Sequence, residues 1–154
     1  MKPNAYTQLF VQLVFASKFR EAFLKKEQRT EVWQYIAGII KNKDHKSIIV
    51  NGMADHVHIF FGLNPKMAIS DLVRDLKRSS SQFINDHKWI PGKFQWQEGY
   101  GAFSYSRAQI STICEYIKNQ EIHHRKRSFR EEYLALLREN EVPFEDRFLF
   151  EFYA

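Results

Sequence analysis

In residues 6–16, YTQLFVQLVFA, apolar and polar positions alternate: Leu9, Val11, Leu13 and Phe15 share one face, and Gln8 and Gln12 interrupt the other. That period of two predicts a β-strand with one buried face. The period changes in residues 25–42, where Val32, Tyr35, Ile36, Ile39 and Ile40 recur at helical spacing. KSIIVNG and ADHVHIFFGL then predict two strands joined through Asn51-Gly52, a dipeptide suited to a tight connection. MAISDLVRDLKRSSSQFINDH returns to helical spacing, with Ser70 as its expected N-cap. FQWQEGYGAFSYS, aromatic and alternating, predicts one or two short strands; RAQISTICEYIKNQEIHHRK and SFREEYLALLREN predict a third and a fourth helix.

The order β-α-β-β-α-β predicts an α+β, ferredoxin-like (split βαβ) fold: an antiparallel-rich sheet with helices packed on one face, to which the third helix, bearing Tyr116, is added as a C-terminal element. Neither linker-like stretch nor internal repeat divides the sequence, so residues 1–154 are expected to form one domain, with 143–154 as an apolar tail that must dock on its own domain or on a partner.

Composition narrows this only slightly. A net charge of +5 is compatible with a polyanionic partner without requiring one. The single cysteine, Cys114, excludes an intrachain disulfide and a cysteine-rich zinc module, and fits a reducing, cytoplasmic compartment. The first residues loosely resemble a secretory signal, but the period-two glutamines favour a strand. No stretch is long enough to span a membrane.

The candidate chemistry lies in DHVHIFF. On a strand His56, His58 and Phe60 point one way, while Val57, Ile59 and Phe61 form the core-facing set. Alone, such a pair is more often two solvated or structurally bonded imidazoles than a metal site. The third helix is the best cover for that face: Ile110, Ile113, Cys114 and Ile117 form its apolar stripe, Cys114 being read as core. Tyr116 and Gln120 are neighbours one turn apart on its flank, presenting a phenol beside an amide carbonyl.

Together, His-hydrophobe-His on a strand and helical Tyr-x-x-x-Gln some sixty residues later, in a small basic chain of this topology, resemble the HUH-type single-tyrosine transposases of insertion sequences. The resemblance runs from YTQLFVQLVFASKFR through GMADHVHIFF and LKRSSSQF to WQEGYGAFSYS and ICEYIKNQEIHH. It implies a metal site of His56, His58 and Gln120 holding Mg²⁺ or Mn²⁺, with Tyr116 as catalytic nucleophile and single-stranded DNA with hairpin ends as substrate. It also implies a homodimer. Two imidazoles and an amide oxygen would leave the ion's double charge undiminished, with positions open to phosphate oxygens. The expected product is a 5′-phosphotyrosine whose stored bond energy allows rejoining without ATP. No general base for the tyrosine is assigned, and His123 and His124 are not expected as ligands.

Lys77, Arg78, Arg125 and Lys126 are candidate phosphate contacts, with Ser79, Ser80 and Ser81 as further donors; a solvated helix face explains Lys77 and Arg78 equally well, and Arg125 and Lys126 also suit the dipole at the end of the tyrosine helix. Trp96, Tyr100, Phe103 and Tyr105 could stack on bases, but strand core is the stronger expectation. SYSRAQ carries no glycine before the tyrosine helix, which argues against a large swing of that helix. Two other functions fit the same residues: a domesticated nickase that processes palindromes, and a non-catalytic single-strand-binding module.

Overall fold

The computed structural model describes residues 5–18 and 24–152; the first four residues, 19–23 and the last two of the tail lie outside it. Four strands, β1 (Phe10–Ala16), β2 (Lys46–Met53), β3 (His56–Gly62) and β4 (Gly101–Tyr105), form one sheet in the order β2-β3-β1-β4 with every pair antiparallel. With helices α1 (Lys26–Asn42) and α2 (Ile69–His87) in the crossovers, this is the expected ferredoxin-like α+β arrangement.

The inner face carries Val11, Leu13 and Phe15 of β1 and Val57, Ile59 and Phe61 of β3, buried with Val32, Ile36 and Ile40 of α1 and Leu72, Leu76 and Ile84 of α2. Fully burying side chains of this size contributes about 1.5–3 kcal/mol each. Trp96 joins this layer: its ring meets Phe15 edge-on, and its Nε1 donates to the Ser80 hydroxyl at 2.9 Å. Ser80 is therefore a buried packing residue and not a phosphate donor.

Several boundaries differ from expectation. β2 runs straight through Asn51-Gly52, and the turn falls at Ala54-Asp55. Gly52 instead permits a close approach: a Cβ there would lie 2.2 Å from the His56 carbonyl oxygen. The N-cap of α2 is Ala68, which places Ser70 inside the first turn. The expected long third helix is divided into α3 (Ile110–Lys118) and α4 (Gln120–His124), with the break at Asn119, so Tyr116 and Gln120 do not share one continuous helix. A 3-10 turn over Arg107–Gln109 links β4 directly to α3.

The opposite sheet face is also covered. Phe10 and Phe60 pack with Ile117, Ile110 and Ile113 of α3, and half-buried Cys114 borders the same cluster. Asn51 on β2 donates to the Ile117 and Lys118 carbonyls at 2.9 and 3.2 Å, satisfying acceptors left over at the end of α3. The remainder is covered by α5 (Phe129–Glu139), which sequence reasoning left without a place. Gly101 of β4 makes room for it: a Cβ there would sit 2.9 Å from the Tyr133 ring. The tail returns to α5, with Phe150 buried against Tyr133 at 4.9 Å between ring centroids and Phe152 partly buried beside Phe129.

Candidate functional site

His56 and His58 project from β3 into the layer between the sheet and α3–α5, and both rings are fully buried. The His56 Nδ1–H donates to Asp55 Oδ1 at 2.7 Å, and the His58 Nδ1–H donates to Gln12 Oε1 at 2.7 Å. Gln12 in turn donates from Nε2 to the Tyr105 hydroxyl at 2.9 Å. Asp55 and Gln12 thus fix both rings through their outer nitrogens and direct the two Nε2 atoms inward.

What the Nε2 atoms meet is Glu132, from the first turns of α5. Its Oε1 lies 3.3 Å from His56 Nε2, 3.2 Å from His58 Nε2 and 3.1 Å from His124 Nε2. Its Oε2 accepts from Gln120 Nε2 at 2.9 Å and from the Tyr116 hydroxyl. Gln120 is fully buried, not on an exposed flank, and its Oε1 lies 2.9 Å from His56 Nε2. Phe129, one turn before Glu132, stacks flat on the His56 ring at 4.0 Å. Tyr116 is further held by His123, stacked on its ring at 4.6 Å, and by Arg127, whose Nη2 donates to the phenol oxygen at 3.2 Å.

Charge follows geometry. Burial disfavours the carboxylate, but His58, His124 and His56 outweigh it and hold the Glu132 carboxyl far below the usual range. Burial alone would lower His56; Asp55 and Glu132 overcome it and raise the ring to about 9. In His58 burial wins over Glu132, so its pKa is lowered and the ring is neutral near pH 7. Burial, then the Glu132 charge, push the Tyr116 phenol up.

These groups fit a divalent cation. His56, His58 and Glu132 offer one ligand atom each, all within 4.8 Å of one another, and the Gln120 amide oxygen points into the same space. A neutral imidazole can donate through one nitrogen only. With the Gln12 amide as oriented, His58 lies between two acceptors, Gln12 Oε1 and Glu132 Oε1. A cation between Nε2 and Oε1 satisfies both sides, as a hydrogen bond from a neutral ring does not. Beside the expected donors stands a carboxylate that the sequence reading did not include: Glu132 brings a negative charge into the group, and His124 stands against the same oxygen.

The basic candidates are dispersed. The Lys77 ammonium donates to the Gln97 and Gly99 carbonyls at 2.8 and 2.7 Å, and burial lowers its pKa to about 8. Arg78 is exposed and pairs with Asp75 at 3.2 Å. Arg125 and Lys126 are exposed just after α4. Phe103 is buried, Trp96 and Tyr105 are half-buried, and Tyr100 is exposed.

A ferredoxin-like sheet with two inward histidines, faced by a helical tyrosine and a glutamine, defines the HUH-type single-tyrosine transposases. The sequence profile of the family "Transposase IS200 like" matches residues 5–120, and the chain belongs to that family. The IS200 transposase of Salmonella typhimurium is 27% identical over 114 residues, 70% of this chain and 74% of the relative. The ISDra2 transposase TnpA of Deinococcus radiodurans is 26% identical over 120 residues, 73% of this chain and 84% of the relative. A crystal structure described as a transposase from Deinococcus radiodurans superimposes with a TM-score of 0.61 at 24% identity, covering 78% of this chain and 96% of that one. A REP-associated tyrosine transposase bound to a REP hairpin gives a TM-score of 0.59 at 12% identity, covering 80% and 73%. Both structures share the fold.

Glu132 and Gln12 are the residues that sequence reasoning missed. Glu132 occupies the i+3 position of an apolar stripe made by Phe129, Tyr133, Leu136 and Leu137, so a carboxylate stands where a core side chain is expected. Gln12 stands between Phe10 and Val14 on the strand face that the histidines share.

Proposed function

We propose that this transposase cleaves and rejoins single-stranded DNA at insertion-sequence ends through a 5′-phosphotyrosine at Tyr116, with a divalent ion, Mg²⁺ or Mn²⁺, held by His56, His58, Glu132 and Gln120. The observation that carries the reading is the convergence of the two Nε2 atoms, the Gln120 amide and the Tyr116 hydroxyl on one buried carboxylate. When bound, the ion would supply Lewis-acid polarisation of a phosphodiester oxygen.

The chain's own residues account for the rest. Asp55 and Gln12 orient the imidazoles, while His123 and Arg127 hold the phenol at its ring and its oxygen. In the cleavage step the bond from the Tyr116 oxygen to phosphorus forms, the bond from phosphorus to the 3′-oxygen breaks, and the phenolic proton ends on the leaving 3′-hydroxyl. Attack by another 3′-hydroxyl reverses these changes and joins new ends. The substrate is taken to be hairpin-ended single strands, as in the fold relative that carries a hairpin, with Arg125 and Lys126 as exposed phosphate contacts. Residues 1–154 act as one transposase domain in a cytoplasmic homodimer; among the described residues no helix is long and apolar enough to cross a membrane.

The test uses single-stranded DNA from the flanks of the gene, labelled at its 3′ end, because a 5′-phosphotyrosine retains the downstream fragment. Incubation with Mn²⁺ is expected to give a labelled protein band on a denaturing gel. The band should be absent with chelator, in Tyr116→Phe and in His56→Ala. A band that persists in Tyr116→Phe removes this tyrosine as nucleophile.

A further inference from the structure

Beside the Tyr116 hydroxyl a cavity of about 340 Å³ opens between α3 and α5, within the roughly 300–1,000 Å³ typical of small-ligand sites. Ile113 on α3 and Ala135 and Leu136 on α5 give it apolar surface, Thr112 and Glu139 add polar groups, and Arg127 lines it next to the phenol. Arg127, Ala135, Leu136, Glu139 and Asn140 lie beyond the residues 5–120 matched by the family profile, so this chain's C-terminal segment completes a wall begun by β1, β4 and α3.

We infer that this cavity receives one nucleobase of the single strand, next to the phosphodiester that Tyr116 attacks, and that Glu139 selects a base carrying an exocyclic amino group. The inference rests on the reading of Tyr116 as nucleophile. An in-line attack brings phosphorus to the phenol oxygen, so the adjoining nucleotide must lie against the surface beside that oxygen. The Arg127 guanidinium, already on the phenol, faces the phosphate side of such a nucleotide. The aliphatic side chains exclude water from the base, while Tyr105 and Arg127, which also line the cavity, offer the aromatic and guanidinium surfaces on which single-strand binders commonly stack bases. Glu139 is exposed and lines the same space, and its charge acts on both Tyr105 and Arg127. A carboxylate only accepts hydrogen bonds, so it pairs with the amino groups of adenine, cytosine or guanine, whereas the one donor of thymine, N3–H, lies between two carbonyl oxygens that repel a carboxylate.

The experiment is the adduct reaction on gene-flank strands randomised at the nucleotides on either side of the cleaved bond, with the captured DNA sequenced. Thymine is expected to be depleted about tenfold at one position, the scale of a single base-edge contact. Glu139→Gln, an exposed substitution whose amide can also donate, should restore thymine there. Thr112→Trp, which fills the cavity from an exposed position, should lower the adduct yield about tenfold while leaving Mn²⁺ binding unchanged. A flat base distribution in an otherwise active wild type overturns the pocket and leaves the nucleophile standing. Thymine depletion that persists in Glu139→Gln overturns the assignment of Glu139. Absence of any adduct from the randomised pool overturns the function and the pocket together.

Discussion

His56 and His58 sit one residue apart on one strand face, yet their neighbours give them opposite charge states: two carboxylates raise His56 to about 9, while burial keeps His58 neutral near pH 7. This has a signed consequence for stability. A group whose folded pKa is raised contributes stability that is complete below the unfolded value, about 6.5, and lost as pH rises through the folded one. Glu132, held low by its histidines, contributes stability above about 4.5 that is lost on acidification. In the presence of chelator, the midpoint of thermal unfolding is therefore expected to fall between pH 6.5 and 9, with the alkaline fall reduced in His56→Gln. Differential scanning fluorimetry across pH checks this; a midpoint that rises from pH 6.5 to 9 contradicts it. The histidine pair was legible as a spacing within one strand, and Tyr116 and Gln120 as a local four-residue spacing that survives the helix break at Asn119. Glu132 was not, since EE in SFREEYLALL is ordinary helix composition and only the docking of α5 buries the second of its two glutamates. Gln12 was visible as a polar interruption, but its partner lies across the sheet on β3.

Among the elements, the β2–β3 hairpin has the least tolerance. Asn51 holds the last turn of α3, and Gly52 lies against the His56 backbone, so adjacent residues set the distance between the tyrosine helix and the histidine strand. Gly52→Ala is expected to cost about 1–3 kcal/mol, the range for overpacking a tight site, because the obstacle is backbone and not a flexible side-chain end. Urea titration measures that loss, and adduct formation should fall by more than the lost folded fraction explains. The same hairpin shows how a dipeptide rule misleads. Asn-Gly suits a two-residue turn, but here the asparagine reaches across to α3 and the glycine answers a steric demand within the strand. The break at Asn119 was equally hidden, because IKNQEIHH keeps helical composition through it.

Across the whole molecule, the four-strand order and the inner core were legible from alternation, because each crossover helix has one clear apolar stripe. Of the second covering layer only α3 was legible, since α5 and the tail carry apolar residues with no sequence sign of which surface they meet. The tail secures that layer: Phe150 packs on Tyr133 and Phe129, the residues that flank Glu132. Phe150→Ala is expected to destabilise by about 3–5 kcal/mol, the usual cost of emptying a buried phenylalanine site. If α5 positions Glu132, the same variant should bind Mn²⁺ more weakly at a temperature where circular dichroism shows it folded. Equal affinity in both proteins would separate the tail from the site. The boundary of the family match gives this dependence a consequence for gene decay. A copy of the gene interrupted after codon 120 would keep every residue by which the family is recognised. Its product would lack Phe129 on His56 and Glu132 among the site groups. Intact and broken copies in a genome are then told apart by the reading frame beyond the tyrosine, not by the histidine and tyrosine motifs.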